Sequence, residues 1–274
     1  MFKNLKENFV YLIFKIILIL FLLLSISFFL YIGFKGYKDI FNLSFFSNKN
    51  LIYSLISTIQ IIILSLGIAC PIGIFAGIYF SEYADNNNKI IKFFRLCIQI
   101  LNGIPSIVLG LFGLAFFVFA LGFKQSLLSA SLTLSIMILP LIIKTTEESF
   151  RTIPNALKEA SLALGATETE TVFRVLLPYA KQGIFTGIIL CIGRVISESA
   201  ILILTAGGSL SILSRFFSNN YPYILADSGR SLALHLYYQK FSYNQTESAF
   251  TTALILLSLI LLLNSIVILI KSKK

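Results

Sequence analysis

The chain has 274 residues, of which 57% are hydrophobic and 12% charged, with a mean hydropathy of +0.89. A soluble domain carries about 25% charged residues, so these proportions exclude a water-soluble globule and require lipid as the solvent of the apolar surface. The net charge of +10 does not mark a nucleic-acid partner, because the basic residues lie between apolar runs with no contiguous polar domain to present them; they read as flanks that orient helices in a membrane.

A bilayer core of roughly 30 Å is crossed by about twenty apolar residues, and six such runs occur, at about 10–34, 55–80, 97–121, 127–143, 184–206 and 249–270. Only helices and closed barrels satisfy the backbone in lipid, and the strict alternation of barrel strands is absent. The expected fold is therefore all-α, a polytopic membrane bundle of six transmembrane helices. The first run follows Lys3 and Lys6 but continues too far, with no A-x-A site, for a cleaved signal peptide. It reads as a retained anchor in which Lys15 snorkels to the interface. Residues 1–50 are thus expected to form an anchor helix and external linker, 51–270 the main transmembrane domain, and 271–274 a basic cytoplasmic tail.

With the N-terminus inside, thirteen basic residues fall on cytoplasmic segments: Lys3, Lys6, Lys89, Lys92, Arg95, Lys144, Arg151, Lys158, Arg174, Lys181, Lys271, Lys273 and Lys274. Seven fall outside, at Lys35, Lys38, Lys49, Lys124, Arg215, Arg230 and Lys240, while Lys15 and Arg194 lie within runs. The imbalance predicts both termini in the cytoplasm, together with the polar loop at 145–183. The external loop at 207–248 holds Asn219, Asn220, Tyr221, Pro222 and Tyr223. Cys70, Cys97 and Cys191 lie singly, without metal-ligand spacing or a disulfide framework. His235 has no Cys or Glu cluster around it and reads as a surface or packing residue in a loop.

The polar insert before the fifth run carries the most information. Residues 159–178 read EASLALGATETETVFRVLLP. Pro154 suits a first helical turn, and Leu157, Ala160 and Leu164 share one helical face. Gly165 supplies a left-handed helix end. Thr167 and Glu170 form a T-x-x-E capping box for a second short helix over 172–177 that stops at Pro178. The expected shape is a helix-turn-helix elbow. Glu159, Glu168 and Glu170 would be repelled by anionic lipid, which favours packing on a protein over lying on the membrane surface.

The spacing Glu159-Ala160-Ser161, Gly165, Val175, Leu177-Pro178 resembles the cytoplasmic coupling motif of binding-protein-dependent ABC importer permeases. That motif reads EAA, three residues, Gly, nine residues, Ile, any residue, Leu-Pro; Ser161 stands here for the second Ala and Val175 for Ile. The resemblance implies a type I ABC importer permease architecture in which Glu159, Ala160, Ser161 and Gly165 dock on a nucleotide-binding subunit. No stretch matches G-x-x-x-x-G-K-[ST], so ATP hydrolysis is expected from a separate polypeptide, and the chain reads as a permease without enzymatic activity, metal or cofactor.

Arg194 is the eleventh residue of the run at 184–206 and so is expected near the bilayer midplane, where a charge costs about 2.5–3.5 kcal/mol on insertion scales. Glu198, four residues on, is the expected partner, although Arg before Glu is the weaker order for such a pair. The two read either as a structural ion pair or as charges on a translocation path for an anion. GRVISESAILILTAGG at 193–208 resembles the fifth-helix segment G-R-x-x-x-E-[TS]-A of phosphate importer permeases, with Ser197 and Ser199 where that family often has Gly and Thr. TTEESFRTIPNALKEASLALGAT at 145–167 and GIPSIVLGLFG at 103–113 are similar to the same family, and LALHLYY at 232–238 to the external loop of its PstA branch. The resemblance, over roughly 51–270, implies inorganic phosphate as cargo and Arg194 and Glu198 as path residues. It also implies an external phosphate-binding protein, a homologous second permease subunit, two ATPase copies and a bacterial cytoplasmic membrane. The alternatives are a permease for another oxyanion or small solute, an ion-gradient-driven secondary transporter, which leaves the elbow unexplained, and a membrane scaffold.

Overall fold

The computed structural model describes residues 2–40, 49–85, 87–209 and 227–272. Its elements are helices: α1 (Phe2–Ile40), α2 (Lys49–Ile78, prolonged by a wide π turn to Tyr83), α3 (Lys89–Gly103), α4 (Ser106–Gly113, prolonged to Ala120), α5 (Leu127–Arg151), α6 (Asn155–Ala163), α7 (Glu168–Ser197), α8 (Ala200–Thr205), α9 (Leu232–Tyr237, prolonged to Ser242) and α10 (Thr246–Ser272). Five stretches are long and apolar enough to cross a bilayer unaided: Tyr11–Tyr37, Lys49–Tyr83, Leu127–Arg151, Glu168–Ser197 and Thr246–Leu269. The bent pair Lys89–Gly103 and Ser106–Ala120 meets the same test only when its two halves are taken together, and counted as one span it makes six. Asn219 to Tyr223 of the external loop lie outside the described residues.

Two expected spans differ from what the structure contains. The run at 97–121 is not one helix, because the chain bends by 102° between α3 and α4. Pro105 disfavours α conformation in the residue before it, and Ile104 is extended at φ −68°, ψ 130°. The run at 184–206 is also broken. Its helix begins sixteen residues earlier, at Glu168, and ends at Ser197. Glu198 is extended, and α8 starts at Ala200. Pro178 does not stop the second arm of the elbow. A π turn at Thr171–Leu176 precedes it, and such a turn, like the first turn of a helix, accommodates a residue that lacks an N–H. The helix therefore runs through from the elbow into the span.

Packing fixes the helices in register. α5 is the most enclosed span, and Leu127, Leu134, Met137, Ile138 and Ile142 form the centre of the core with Ile61, Leu109, Cys191 and Leu202. α2 and α5 run parallel: a Cβ on Gly73 would overlap the Ile142 side chain, one on Gly77 would overlap Thr146, and Ser135 Oγ donates to the Ser65 carbonyl at 3.1 Å. α7 runs antiparallel to α5, with Gly183 against Ser149 and Gly187 against Thr145. Small residues at these crossings let backbones approach where lipid supplies no hydrophobic drive between helices. α1 packs on α10, Tyr31 meeting Phe250 edge-to-face at 5.6 Å, and between Tyr11 and Tyr37 most of its side chains are exposed.

At the opposite end from α6, α9 is tucked into the bundle. Its Leu232 N–H donates to Thr58 Oγ1 of α2 at 2.9 Å. Arg230 is buried beneath it, donating to the Gly208 carbonyl at 2.7 Å and lying 4.4 Å from the centre of the Tyr238 ring. His235 is not in a loop, as the sequence suggests, but on α9, and of the two readings, surface or packing residue, the second holds because it is buried there. Burial, then the Arg230 cation, lower its pKa from 6.5 to about 4, so it is neutral at physiological pH. An unfolded chain takes up the proton that the folded chain refuses, so this site costs stability as pH falls through the interval between those two values. The melting temperature of the detergent-purified chain is expected to fall more between about pH 7 and about pH 5 than that of His235→Leu; equal falls would show that His235 carries no such penalty.

Candidate functional site

The elbow is more rigid than a surface loop. Pro154 stands extended before α6. At the other end Gly165 takes φ +87°, its N–H donating to the Leu162 carbonyl at 2.9 Å and that of Ala166 to the Ser161 carbonyl at 3.3 Å. This is the Schellman pattern, whose left-handed residue favours glycine. Two residues on, the Thr167 hydroxyl accepts from the Glu170 N–H at 3.2 Å, and the Glu170 carboxylate accepts from the Thr167 N–H at 3.1 Å, completing the capping box.

None of the α6 residues is buried. Glu159 and Ala160 are exposed, and Leu164 at its end is 90% exposed. Ser161 does not share their outward position; it is half-buried, with its hydroxyl 2.9 Å from that of Thr171 on α7. Lys158 Nζ meets Glu82 Oε2 at 2.7 Å, on the π turn that ends α2. The elbow is therefore held on one side to α2 and on the other to α7, while Glu159, Ala160 and Leu164 face outward. A push on α6 has two short polar routes into the membrane helices.

Arg194 and Glu198, expected to pair, do not. The helix ends between them. Glu198 turns its carboxylate onto the next helix, accepting from the N–H groups of Ala200 at 3.0 Å and Ile201 at 3.4 Å. These are the bare donors of a helix start, for which a carboxylate is a good acceptor. Arg194 instead donates from Nη1 to Asn102 Oδ1 of α3 at 3.4 Å. It sits in the last turn of α7, where the negative end of the helix dipole favours a cation. Extending the Gly183–Ser149 and Gly187–Thr145 register places Arg194 level with Ile138, in the middle of α5.

The sequence alone does not single out as a site the row of polar residues to which Asn102 belongs. On α3, Arg95, Gln99 and Asn102 recur at helical spacing and line a cavity of about 330 Å³ with Lys144 and Glu147 of α5. Arg95 bonds Glu147 through Nη1 and the Phe80 carbonyl through Nη2 at 2.9 Å, and Arg151 joins the same carboxylate at 2.7 Å. Their signal in the sequence is the polar pair Gln99 and Asn102 early in the apolar run 97–121, with Arg95 just before it; on one straight span these positions have no partner, and the bend after Gly103 gives them one. Among the described residues no group of His, Cys, Asp or Glu has the arrangement of a metal site.

Residues 69–273 match the family described as the binding-protein-dependent transport system inner membrane component, and the chain belongs to that family. It is 38% identical over 187 residues to the probable ABC transporter permease protein YqgI of Bacillus subtilis, covering 67% of this chain and 63% of that one. It is 35% identical over 164 residues to the phosphate transport system permease protein PstA of Mycobacterium leprae, covering 60% and 53%, and 37% identical over 155 residues to PstA of Xylella fastidiosa, covering 57% and 54%. The matched region thus spans between 53% and 63% of the length of these relatives. In structure the chain is similar to a subunit of the MetNI methionine ABC transporter, with TM-score 0.59, 21% identity and coverage of 82% and 94%. It is also similar to a chain of a bacterial alginate ABC transporter, with TM-score 0.67, 13% identity and coverage of 97% and 95%. The fold is that of type I ABC importer permeases, a multi-pass membrane bundle.

The elbow geometry makes a direct prediction. A Cβ on Gly165 would meet no atom within 4 Å, so any penalty comes from the left-handed backbone alone, about 1 kcal/mol or more for a branched residue. Gly165→Asn, which tolerates that conformation, should keep the elbow closed, and Gly165→Val should open it. Limited proteolysis of the 155–170 segment reads the difference; equal cleavage of both variants would contradict it.

Proposed function

We propose that the chain is the membrane-spanning permease subunit of an ATP-driven importer of inorganic phosphate. The observation that carries the reading is the elbow: an outward-facing helix with no buried residue, tied by Lys158–Glu82 to α2 and by Ser161–Thr171 to the helix that bears Arg194. Such a part is suited to receive movement from a partner and pass it inward. Two ATPase subunits would supply that movement, one docking on Glu159, Ala160 and the turn at Gly165 of this chain. The other would dock on a homologous second permease subunit. A phosphate-binding protein would deliver cargo at the α9 end. The excess of Lys and Arg on segments at the α6 end supports placing that end, and both termini, in the cytoplasm.

Phosphate as the cargo is supported by the names of the PstA relatives and by Arg194, a guanidinium at mid-depth that offers planar, paired donors to an oxyanion. Glu198 acts through α8, whose first N–H groups it caps, so its part is to hold the break beside Arg194 open. A permease of the same build for another oxyanion is the second reading. It keeps every feature of the elbow and differs only in which anion competes.

Radiolabelled phosphate uptake by vesicles carrying the full complex tests the proposal. Arg194→Lys keeps the charge but loses the fork, and loss of one charged hydrogen bond, about 1.5–3 kcal/mol, should slow uptake about tenfold or more at matched protein levels. Excess sulfate should leave wild-type uptake unchanged. Normal uptake by Arg194→Lys would remove the arginine from the path, and inhibition by sulfate would favour the second reading.

A further inference from the structure

The cavity between α3 and α5 carries chemistry that the elbow and Arg194 do not use. It starts at Asn102, the residue to which Arg194 donates, and continues along α3 past Gln99 to Arg95, with Lys144 on the facing wall. Asn102 and Gln99 are exposed, although the neighbouring positions Ile100 and Leu96 are apolar and also exposed. A polar row at this depth belongs against protein or water rather than lipid.

Structural needs account for only part of the row. Glu147 holds Arg95 and Arg151, and Lys144 lies 3.9 Å from Glu148, so three cations stand against two carboxylates at this mouth. One positive charge is left over. Arg95 is fixed by Glu147 and by the Phe80 carbonyl, yet each of its Nη atoms carries a second hydrogen. Gln99 and Asn102 each bring an amide that can donate two more. The volume of about 330 Å³ is that of a small-molecule site. A fixed guanidinium, a mobile ammonium and two amides form a set of donors for an oxyanion. The carboxylate of Glu147 keeps the site from holding that anion tightly.

We propose that this cavity is a release site in which Arg95, Lys144, Gln99 and Asn102 receive a small oxyanion from Arg194 and pass it out at the elbow end. It rests on the oxyanion-import reading above. At mid-depth Arg194, bonded to Asn102, would hold an anion with a single cation. The cavity offers a wetter, more shared site of weak net charge, so the anion moves outward by exchange of donors without being freed in an apolar passage.

The test uses the full complex in inside-out vesicles, with Cys70, Cys97 and Cys191 replaced by Ser and a reporter introduced on the cavity wall as Ile98→Cys or, independently, Leu141→Cys. The rate of labelling by a small thiol reagent is measured with and without inorganic phosphate, and phosphate uptake is measured in right-side-out vesicles of the same complex. Phosphate at about twice its dissociation constant should slow labelling about threefold, chloride should not, and the protection should vanish in Lys144→Gln and in Gln99→Leu. Protection should survive Arg194→Leu, which abolishes uptake. Uptake without protection at both reporters, or equal protection by chloride, would overturn the release site and leave the import reading standing. Absence of phosphate uptake by the complex before any reporter is introduced would overturn both.

Discussion

The constraint on which the rest depends is that backbone polar groups at membrane depth must be satisfied within the protein. Among the described residues, helices break within the apolar runs at Ile104–Pro105 and at Glu198–Ser199, and each break is closed locally. Val108 N–H donates to the Pro105 carbonyl at 3.0 Å, and the Glu198 carboxylate takes the first donors of α8. The segments beyond the breaks then pack on each other, with Gly110 of α4 close enough to Ile201 of α8 that a Cβ would sit 3.1 Å from its Cα. Irregular backbone is tolerated there because those donors find acceptors within the chain. The same breaks produce the polar features of the interior. α7 ends just past Arg194, so the cation sits at a helix C-terminus, and α3 ends just past Asn102, which faces it.

At the elbow the energies are small and the geometry decides. The Lys158–Glu82 pair is partly exposed, 36% at the lysine side chain, and pairs of that kind contribute about 0–1 kcal/mol. The pair does little for overall stability. It fixes α6 to the end of α2, while Ser161 and Thr171 fix it to α7. In the proposed importer those two attachments convert a displacement of α6 into relative motion of α2 and α7 on either side of α5. α5, the most enclosed span, is the element against which both would move.

Much of this was legible in the sequence because it rests on local rules. Long apolar runs give the spans at 10–34, 55–80, 127–143 and 249–270 within a few residues, apart from the extra turns of α5. Gly165 and the Thr167–Glu170 box give the elbow, since a left-handed end and a cap depend on residues adjacent in sequence. What was misjudged depends on context. Pro178 reads as a stop because a proline disrupts an ordinary helix interior, and only the preceding π turn lets it pass. Glu198 reads as the partner of Arg194 because spacing of four implies one face, and that holds only while the helix continues. Arg95, Gln99 and Asn102 sit beside Lys144 and Glu147 through a tertiary contact between α3 and α5, for which the sequence carries a polar stripe but no partner. His235 is buried by α9 folding back on α2, which no local pattern announces.

The central claim is that movement received at the elbow reaches the span bearing Arg194 through contacts visible in this chain. The most direct measurement is ATP-dependent phosphate uptake by the reconstituted complex with the Lys158–Glu82 pair inverted. Lys158→Glu alone and Glu82→Lys alone place like charges together and should uncouple ATP hydrolysis from uptake. The double variant restores an opposite-charge pair in the same place and should recover most of the uptake. If the double variant assembles with its partners and hydrolyses ATP but transports no better than either single variant, the elbow does not act through this link and the account is wrong.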